Sequence, residues 1–468
     1  MINIYFHIDE LSRDSVVASA LTQIAKKKKW RIIYGNRNLG FLMAKFERFF
    51  DVIIMPKPTF LTSFFHPSKV ETLRSNYVIL YTEQIGIMTS ANFPKLALRQ
   101  MLDKEFMSGD SKYVDKIAAF CFWSHQAKNI IIDSFPELSQ KCYVVGHPRH
   151  DLNANPIFIR PINLRENNIG IVTRFVSLND YFGRNSLESI IENLKFIKKG
   201  EIIEYSNPKN GDIFASRIRG VNPKNDIAIE SIDFENMILI IEALTELGFK
   251  ISIKKHPKED LKIYKKIVAQ LGTSVSLAPS NIPFAFWIQN QNYVIGPPST
   301  SFYDALMLGV LPISTSEINP HRKSMITDMY EDFNPLMEYV VKPKSINALV
   351  DFVQKNDPKV YNDFAFNPKV TKILESEVNY PNHVNSLNEF CEVVQKILTN
   401  RKVSLAKNFM IWLYLIISKI ESEFRFIYYS LLERSTGRKI LTSAGFVMNF
   451  KIRRYISNLS SNLDRSRN

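Results

Sequence analysis

The sequence predicts an α/β protein with two doubly wound domains of parallel β-sheet and a basic helical extension at its C-terminal end. Short apolar runs, such as residues 77–81 (YVILY), alternate with amphipathic stretches, and continuous apolar runs indicate strands buried on both faces of a sheet. The 468 residues are too many for one hydrophobic core. A content of 45% hydrophobic and 23% charged residues is that of a globular protein.

The first domain is predicted to span residues 1–155. Its apolar segments are separated by amphipathic segments and short loops, which favours a parallel sheet. The predicted strands cover residues 2–6, 30–34, 52–55, 77–81, 118–123 and 142–145. The predicted helices cover residues 12–27, residues 41–49 and a segment from His125 to about residue 135.

A polar segment with two prolines, residues 152–168, is interpreted as the linker to a second domain at 165–395. That domain opens with a strand at 169–172. After a stretch with little periodicity comes an amphipathic helix at 234–247, which Asp233 is expected to cap and Gly248 to close. Helices are also predicted at 346–355 and 384–399, and the last is a candidate to cross back to the first domain.

Two strand ends in the second domain carry the residues that best fit a ligand site. A strand at 251–254 ends in a cationic loop that consists of Lys254, Lys255, His256 and Pro257. A second apolar run is stopped at Gly296, where glycine permits unusual backbone angles, and by the two prolines that follow. Hydroxyl side chains then precede a helix that starts near Phe302, and they are Ser299, Thr300 and Ser301.

In an open parallel sheet both of these loops lie at the carboxyl edge, where such sheets bind ligands. Two lysines, an imidazole and a hydroxyl-capped helix start together suit a phosphate group. The pattern is therefore interpreted as a site for a phosphorylated ligand. The alternative is an ordinary helix cap beside an ordinary histidine.

The K-x-H-P loop (254–257), the P-S-T-S helix start (298–301) and the A-L-x-x-G segment (305–309) resemble the C-terminal domain of GT-B glycosyltransferases. Within that group the chain is most similar to bacterial enzymes that use CMP-activated acidic sugars. In the sialyltransferase-like members, an HP motif and an SS/T motif hold the CMP phosphate, and these correspond here to His256-Pro257 and Ser299-Thr300. YVVGHPRHD (143–151), IGIVTRF (169–175) and VILYTEQIG (78–86) agree with the resemblance, which covers roughly residues 1–395.

The resemblance implies two Rossmann-like domains, an acceptor side at 1–155 and a nucleotide-sugar donor side at 165–395. It implies a transferase that moves Kdo or a nonulosonic acid from its CMP conjugate to a surface polysaccharide, with a glycan or lipid-linked glycan as acceptor. A transferase for a UDP-sugar or for CDP-glycerol, and a non-catalytic scaffold of polysaccharide assembly, are the alternatives.

Glu83 is the predicted catalytic residue, because it follows the buried strand at 77–81 where that strand meets the expected cleft. Glycosyl transfer needs a base for the acceptor hydroxyl or a carboxylate nucleophile. Related Kdo transferases carry such a carboxylate in a motif like E-D-G, whereas this chain has E-Q-I-G. A structural hydrogen-bond acceptor is the alternative role.

Further polar residues follow other strands. Arg174 is expected to face the donor phosphate or carboxylate, and Glu317 to accept from ribose hydroxyls. His147, Arg149 and Asp151 are candidates to bind the acceptor or the donor carboxylate, or to form a salt bridge before the linker. Neither a D-x-D triplet nor His/Cys ligand spacing occurs, so the sequence predicts no metal and no cofactor besides the donor.

The net charge of +14 is concentrated at the C-terminal end, since residues 401–468 contain 13 Lys/Arg and 4 Asp/Glu, a net charge of +9. This pattern argues against a nucleic-acid groove through the core. The extension is expected to bind an anionic membrane face or, alternatively, to pack on the core or on a second chain. With three unpaired cysteines and no long apolar run, the protein is expected on the cytoplasmic face of the bacterial membrane.

Overall fold

A computed structural model describes residues 1–9, 11–56, 59–80, 112–153, 167–176, 178–179, 223–257, 259–279, 282, 284–321, 340–356, 368–378, 385–398 and 405–436. The chain forms two compact units. The first combines Met1–Asp151 with Glu375–Asn468, and the second is Leu152–Leu374. Each unit contains one wholly parallel sheet.

The first sheet has the strand order β2-β1-β3-β4-β5-β6. Its strands are β1 (Ile2–His7), β2 (Trp30–Gly35), β3 (Val52–Met55), β4 (Asn76–Leu80), β5 (Ile117–Phe122) and β6 (Cys142–Val144). Within the described residues up to 153, the helices of this unit are α1 (Leu11–Lys28), α2 (Arg37–Lys45), α3 (Thr59–Phe64), α4 (Lys112–Lys116), α5 (His125–Ser134) and α6 (His150–Asn153). In the same described ranges, 3-10 helices lie at Glu47–Phe49, Pro67–Thr72 and Pro136–Lys141.

The second sheet has the strand order β11-β10-β7-β8-β9. Its strands are β7 (Asn168–Val172), β8 (Lys250–Lys254), β9 (Val275–Leu277), β10 (Tyr293–Gly296) and β11 (Leu311–Ser314). After residue 222 the described part of the chain contains the helices α7 (Pro223–Glu246), α8 (Leu261–Leu271), α9 (Phe284–Ile288), α10 (Ser301–Met307), α11 (Ile346–Lys355), α12 (Pro368–Val378), α13 (Ser386–Leu398) and α14 (Leu405–Thr436).

The helix α13 belongs to the first unit although it follows the second in sequence. Phe390, Cys391 and Val394 are buried in one cluster with Val17 and Leu21 of α1 and with the apolar residues of β1, β3 and β5. The predicted second domain, 165–395, therefore extends beyond the compact second unit, which ends at Leu374. The apolar face of α13 is buried against the first sheet, as expected for a helix that crosses back.

Asp233 is not the helix cap that the sequence predicts. The helix α7 starts ten residues earlier, at Pro223, and runs through this position. The Asp233 carboxylate instead accepts a hydrogen bond of 2.9 Å from the side-chain amide of Asn319, which follows β11 in the sequence. The predicted helix end is confirmed, since Gly248 has a φ of +83° and its N–H donates to the carbonyl of Thr245.

The helix α14 packs on α2 and on the 3-10 helix Glu47–Phe49. Tyr414 is fully buried and meets the rings of Phe46 and Phe50 edge to face, at centroid distances of 5.5 and 5.4 Å. Lys407 forms an ion pair of 3.0 Å with the buried Asp51. In the part of the chain that the structure describes, no helix is long and apolar enough to cross a bilayer. The predicted basic segment after residue 436 lies outside the described residues.

Candidate functional site

Four strand ends of the second sheet lie in one row. The register pairs Lys254 of β8 with Val172 of β7, and Gly296 of β10 with Ser314 of β11. Pairing of β10 with β7 places Gly296 beside Val172. Since neighbouring strands are about 4.8 Å apart, the row is about 14 Å long. The loops that leave these four ends are therefore neighbours at the carboxyl edge, as the sequence predicts.

The strands β7 and β10 form the switch point of this sheet. After β7 the chain turns towards β8 and β9, whereas after β10 it turns towards β11 on the other side. Open parallel sheets bind ligands where two such loops diverge. Arg174 follows β7 and Ser299 follows β10, so two predicted donor-binding residues border this point, and both are half-buried.

Gly296 allows the two central strands to approach each other. A Cβ atom at this position would overlap the backbone carbonyl oxygen and the side chain of Val172. The backbone of Gly296 is extended and its φ is not positive. The reason for glycine here is thus close backbone contact rather than the unusual angles expected from the sequence.

A buried carboxylate, that of Glu259, links the loop after β8 to the loop after β7. It accepts hydrogen bonds from the hydroxyl of Thr173 at 2.5 Å, from the backbone N–H of Phe175, and from the hydroxyl of Tyr264 at 2.8 Å. The backbone N–H of His256 donates to the same carboxylate at 3.1 Å and to Thr173 Oγ1 at 3.0 Å. Burial raises the pKa of Glu259, and the hydrogen bonds oppose that rise.

These bonds fix the backbone at both predicted ligand-binding positions. His256 is held through its own N–H, and Arg174 lies between the two residues of its loop that donate to Glu259. A second pair of bonds joins the same loops, because Asn179 donates through Nδ2 to the carbonyl of Asp260 at 2.8 Å and accepts from its N–H at 3.1 Å. The two loops therefore behave as one preorganised surface.

The two lysines of the loop after β8 bind backbone carbonyls. Lys254 Nζ donates to the carbonyls of Pro279 at 3.1 Å and Ile282 at 2.8 Å, and both residues follow β9 in the sequence. Lys255 Nζ donates to the carbonyls of His256 and Pro257 at 3.1 and 3.4 Å. Burial and the neighbouring Lys255 lower the pKa of Lys254 to about 8. Its charge is therefore sensitive to pH near neutrality.

The predicted hydroxyl cluster begins a short helix. Ser299 Oγ accepts from the N–H of Ser301 at 3.2 Å, and Thr300 occupies the cap position without a side-chain cap bond. All three side chains from Ser299 to Ser301 are half-buried. Glu317 follows β11 at the next position in the row and is also half-buried, while Pro257 is exposed.

In the first unit, His147 is part of a buried aromatic cluster after β5 and β6. Its ring meets that of Trp123 at a centroid distance of 4.4 Å and lies 5.1 Å from the ring of His150. The guanidinium of Arg149 lies over Trp123 at 6.0 Å, and the backbone N–H of Arg149 donates to His147 Nδ1 at 3.0 Å. Burial and the charge of Arg149 lower the pKa of His150 well below its usual value.

Asp151 caps a helix that is distant in sequence. Its two carboxylate oxygens accept from the N–H groups of Ser386 and Leu387, each at 2.9 Å, at the start of α13. Burial raises the pKa of Asp151, and these bonds oppose the rise. Asp151 therefore has a structural role as the cap of α13, which differs from both the ligand contact and the salt bridge that the sequence suggested.

The predicted catalytic Glu83 lies outside the described residues. Residues that the sequence interpretation missed are Thr173, Glu259 and His7. His7 ends β1 at the switch point of the first sheet, and its buried ring lies 4.2 Å from the ring of Phe60. A signal existed for each, because Thr173 and His7 are the first polar residues after apolar strands and Glu259 stands three residues after His256.

Within the described ranges, no group of three His, Cys, Asp or Glu side chains could hold a metal ion. The cationic and hydroxyl side chains at the switch point are instead suited to an anion.

No protein-family model matches the sequence, and no curated protein matches it. Among solved structures, a histidine-to-alanine variant of the wall teichoic acid polymerase TagF aligns over 84% of this chain and 89% of its own, with 10% identity and a TM-score of 0.50. A TagF variant soaked with CDPG aligns over 86% and 90%, with 10% identity and the same score. A putative UDP-N-acetylglucosamine 2-epimerase from Listeria monocytogenes aligns over 86% and 98%, with 10% identity and a TM-score of 0.44.

The TagF likeness shows the fold. Two Rossmann-like domains with parallel sheets and a helical C-terminal part form the GT-B architecture, and this confirms the fold class that the sequence predicts.

Proposed function

We propose that the chain is a glycosyltransferase that binds a CMP-activated acidic sugar at the switch point of its second sheet. One observation carries the proposal: the loops of His256, Arg174 and Ser299 leave adjacent strand ends, and the first two are joined through Glu259. In the sialyltransferase-like enzymes that the sequence resembles, the HP and SS/T motifs hold the CMP phosphate. Because β8 and β10 both pair with β7, the loops that carry these two motifs lie on either side of the loop after β7.

The proposed reaction needs charge stabilisation at the leaving group. An acceptor hydroxyl oxygen forms a bond to the anomeric carbon, the bond from that carbon to the CMP phosphate oxygen breaks, and the hydroxyl proton passes to a base. The released phosphate gains negative charge. We propose that Arg174 and the ammonium of Lys254 supply positive charge at these strand ends and that His256 supplies hydrogen-bond donors, and fixed loops make such stabilisation effective.

Glu83 remains the proposed base or nucleophile on the acceptor side. A base would give inversion at the anomeric carbon in one displacement, and a nucleophile would give retention through a glycosyl-enzyme intermediate. The proposed acceptor is a growing surface polysaccharide or its lipid-linked precursor.

A CDP-glycerol transferase is the second candidate. The fold likeness to TagF favours it, because one of the similar TagF structures was soaked with CDPG. Both candidates use a cytidine nucleotide, so the identity of the donor is what separates them.

A thermal-shift screen with CMP, CDP, UDP, UMP and GDP tests the proposal. A ligand at a hundredfold its Kd stabilises the folded protein by about 2.7 kcal/mol, so we expect a clear rise of Tm with CMP and a much smaller one with UDP. A stronger response to CDP, with turnover of CDP-glycerol, would support the second candidate. No response to any nucleotide would favour the non-catalytic scaffold.

Single substitutions locate the site. His256→Ala and Ser299→Ala should abolish the CMP response without unfolding the protein. The matched controls are His125→Ala and Ser274→Ala, which replace exposed side chains elsewhere. Full CMP affinity in both site variants would exclude this location for the phosphate.

A further inference from the structure

The helix α14 exposes a stripe of large apolar side chains on one face. Trp412, Ile416, Ile420, Phe424 and Tyr428 follow one another at intervals of four residues, and Phe409 precedes them by one turn. These six residues, the α14 stripe, are between 36% and 69% exposed. At about 3.6 residues per turn such a row rotates by about 40° per step, so these six side chains together cover about half of the helix circumference. Water-exposed apolar surface of this extent marks an interaction site.

The α14 stripe faces solvent because the opposite side of the helix is packed against the first unit. Ile411, Tyr414 and Ser418 are fully buried and lie on the opposite side of the helix. Tyr414 is held between two phenylalanine rings, and the Lys407–Asp51 ion pair fixes the start of the helix. The first unit therefore presents the stripe outward on a rigid element.

The helix itself contains four Lys or Arg and three Glu, a net charge of +1, and exposed cations lie on it and next to it. Lys45 and Arg48 are exposed on the two elements against which α14 packs, and Lys419 is exposed on α14 itself. Glu423 is an exposed acid on the same helix. The sequence after the helix, residues 437–468, contains seven Lys or Arg and one Asp, a net charge of +6.

We propose that the α14 stripe docks the protein on the surface of an anionic lipid bilayer. From Phe409 to Tyr428 the stripe is about 29 Å long at 1.5 Å per residue. Since this helix is not apolar enough to cross a membrane, it lies flat with its aromatic side chains at the headgroup level. The surrounding cations add attraction to anionic lipids.

Charge favours the bilayer over a second copy of this chain. Packing two stripes together would bring the exposed cations Lys45, Arg48 and Lys419 of one copy close to those of the other, and like charges repel. The stripe also contains Trp and Tyr, which are enriched at membrane interfaces because their rings are amphipathic. Docking would place the first unit, and with it the proposed acceptor side, at the membrane surface.

Trp412 offers a direct probe. Of the four tryptophans in the chain, Trp30, Trp123 and Trp287 are buried, and Trp412 is 56% exposed. Its fluorescence should therefore respond to docking without a label. With vesicles of phosphatidylcholine and about one third phosphatidylglycerol, we expect emission to shift to shorter wavelength and quenching by acrylamide to fall. Vesicles of phosphatidylcholine alone should give a much weaker response, and added salt should weaken the response to anionic vesicles.

Substitutions in the full-length chain identify the surface. The double variant Trp412→Ser/Phe424→Ser should lower vesicle binding by co-sedimentation about tenfold or more, because it removes two large apolar contacts. Leu239→Ser is the matched control, since Leu239 is 44% exposed in the second unit. Both variants should keep the wild-type Tm and CMP response, because the substituted side chains face solvent.

Three results would overturn the proposal. Vesicle binding that the double variant leaves unchanged would place docking elsewhere. A blue shift that depends on protein concentration without vesicles, with a dimer mass by light scattering, would assign the stripe to a second copy. Strong protection of Trp412 from acrylamide in the dilute protein alone would show that the chain covers the stripe itself.

Discussion

At the scale of single residues, the carboxylate of Glu259 organises the candidate donor site without being placed to touch the donor. It accepts hydrogen bonds from the loop after β7, from the backbone N–H of His256 and from the hydroxyl of Tyr264 in α8. A fully buried carboxylate is costly unless its oxygens are hydrogen-bonded. Glu259 therefore holds its partners in one geometry, and that geometry is what the phosphate would meet.

Replacing Glu259 with Gln should disturb both stability and binding. The amide group would bring N–H donors towards Thr173 and Phe175, which are themselves donors to this side chain. We expect the free energy of unfolding to fall by about 1–3 kcal/mol, and CMP affinity to fall with it because the loops separate. Urea unfolding and calorimetry measure the two effects. Glu235→Gln, an exposed site on α7, is the control, and an unchanged CMP affinity in Glu259→Gln would contradict the positioning role.

Lys254 should make nucleotide affinity depend on pH. Its pKa is lowered to about 8 by burial, so the side chain is charged below that pH and neutral above it. Affinity for CMP should be highest near pH 7 and fall as the pH rises to about 9. A loss of about fivefold corresponds to one charge interaction of about 1 kcal/mol in a solvated site.

The substitution Lys254→Arg tests that assignment, because arginine keeps its charge across this range. Its CMP affinity should be almost independent of pH, whereas Lys262→Arg, at an exposed position of α8, should retain the wild-type decline. An equal decline in Lys254→Arg would show that another group titrates.

Sequence reasoning could place His256 and Ser299 because each lies within three residues of a strand end, and strand ends of a parallel sheet share one edge. It could not find the partnership of Thr173 with Glu259, which are 86 positions apart and meet only because β7 and β8 are adjacent. For Asp233 the local cap pattern suggested a helix start, but α7 begins earlier. The Asp233 side chain accepts a hydrogen bond from Asn319 instead. Long-range pairing, which local patterns do not encode, decided both cases.

At the scale of secondary-structure elements, boundaries set by hydrophobic pattern were predictable and tertiary partners were not. The strand β3 and the helix α11 have the predicted limits, since Asp51 and Pro56 bound the buried run of β3, and Ser345 caps α11 by accepting from the N–H of Ala348. The start of α13 is capped by Asp151, which lies 235 positions before Ser386 in the chain, and no local pattern of α13 reveals this contact.

The substitution Asp151→Ala separates a structural from a binding role. It removes the acceptors for two N–H groups at the start of α13, and loss of such a cap costs about 0.5–2 kcal/mol. We expect the stability of the first unit to fall by that amount while CMP affinity stays unchanged. Asp133→Ala, at an exposed site of α5, is the control. A loss of nucleotide or acceptor binding with normal stability would instead support the ligand contact that the sequence suggested.

At the scale of the whole molecule, the second unit is an insertion within the first. The chain leaves the first unit after Asp151 and returns to it from Glu375 onward. The two ends are close together, because the Asp151 carboxylate contacts the backbone of Ser386 and Leu387. The first core is complete only when α13 supplies Phe390, Cys391 and Val394. A chain cut at the predicted boundary of 155 therefore lacks part of its own core.

A chain in which residues 154–384 are replaced by a Gly/Ser linker of about four residues should fold as a stable first unit, because the linker spans ends that already touch. Cooperative urea unfolding and a near-ultraviolet circular dichroism signal from Trp123 would report the native core. The fragment 1–153, which lacks α13 and α14, should be poorly soluble since it exposes the apolar face that α13 covers. If that fragment folded as well as the linked chain, α13 would be an accessory to the first core rather than a part of it.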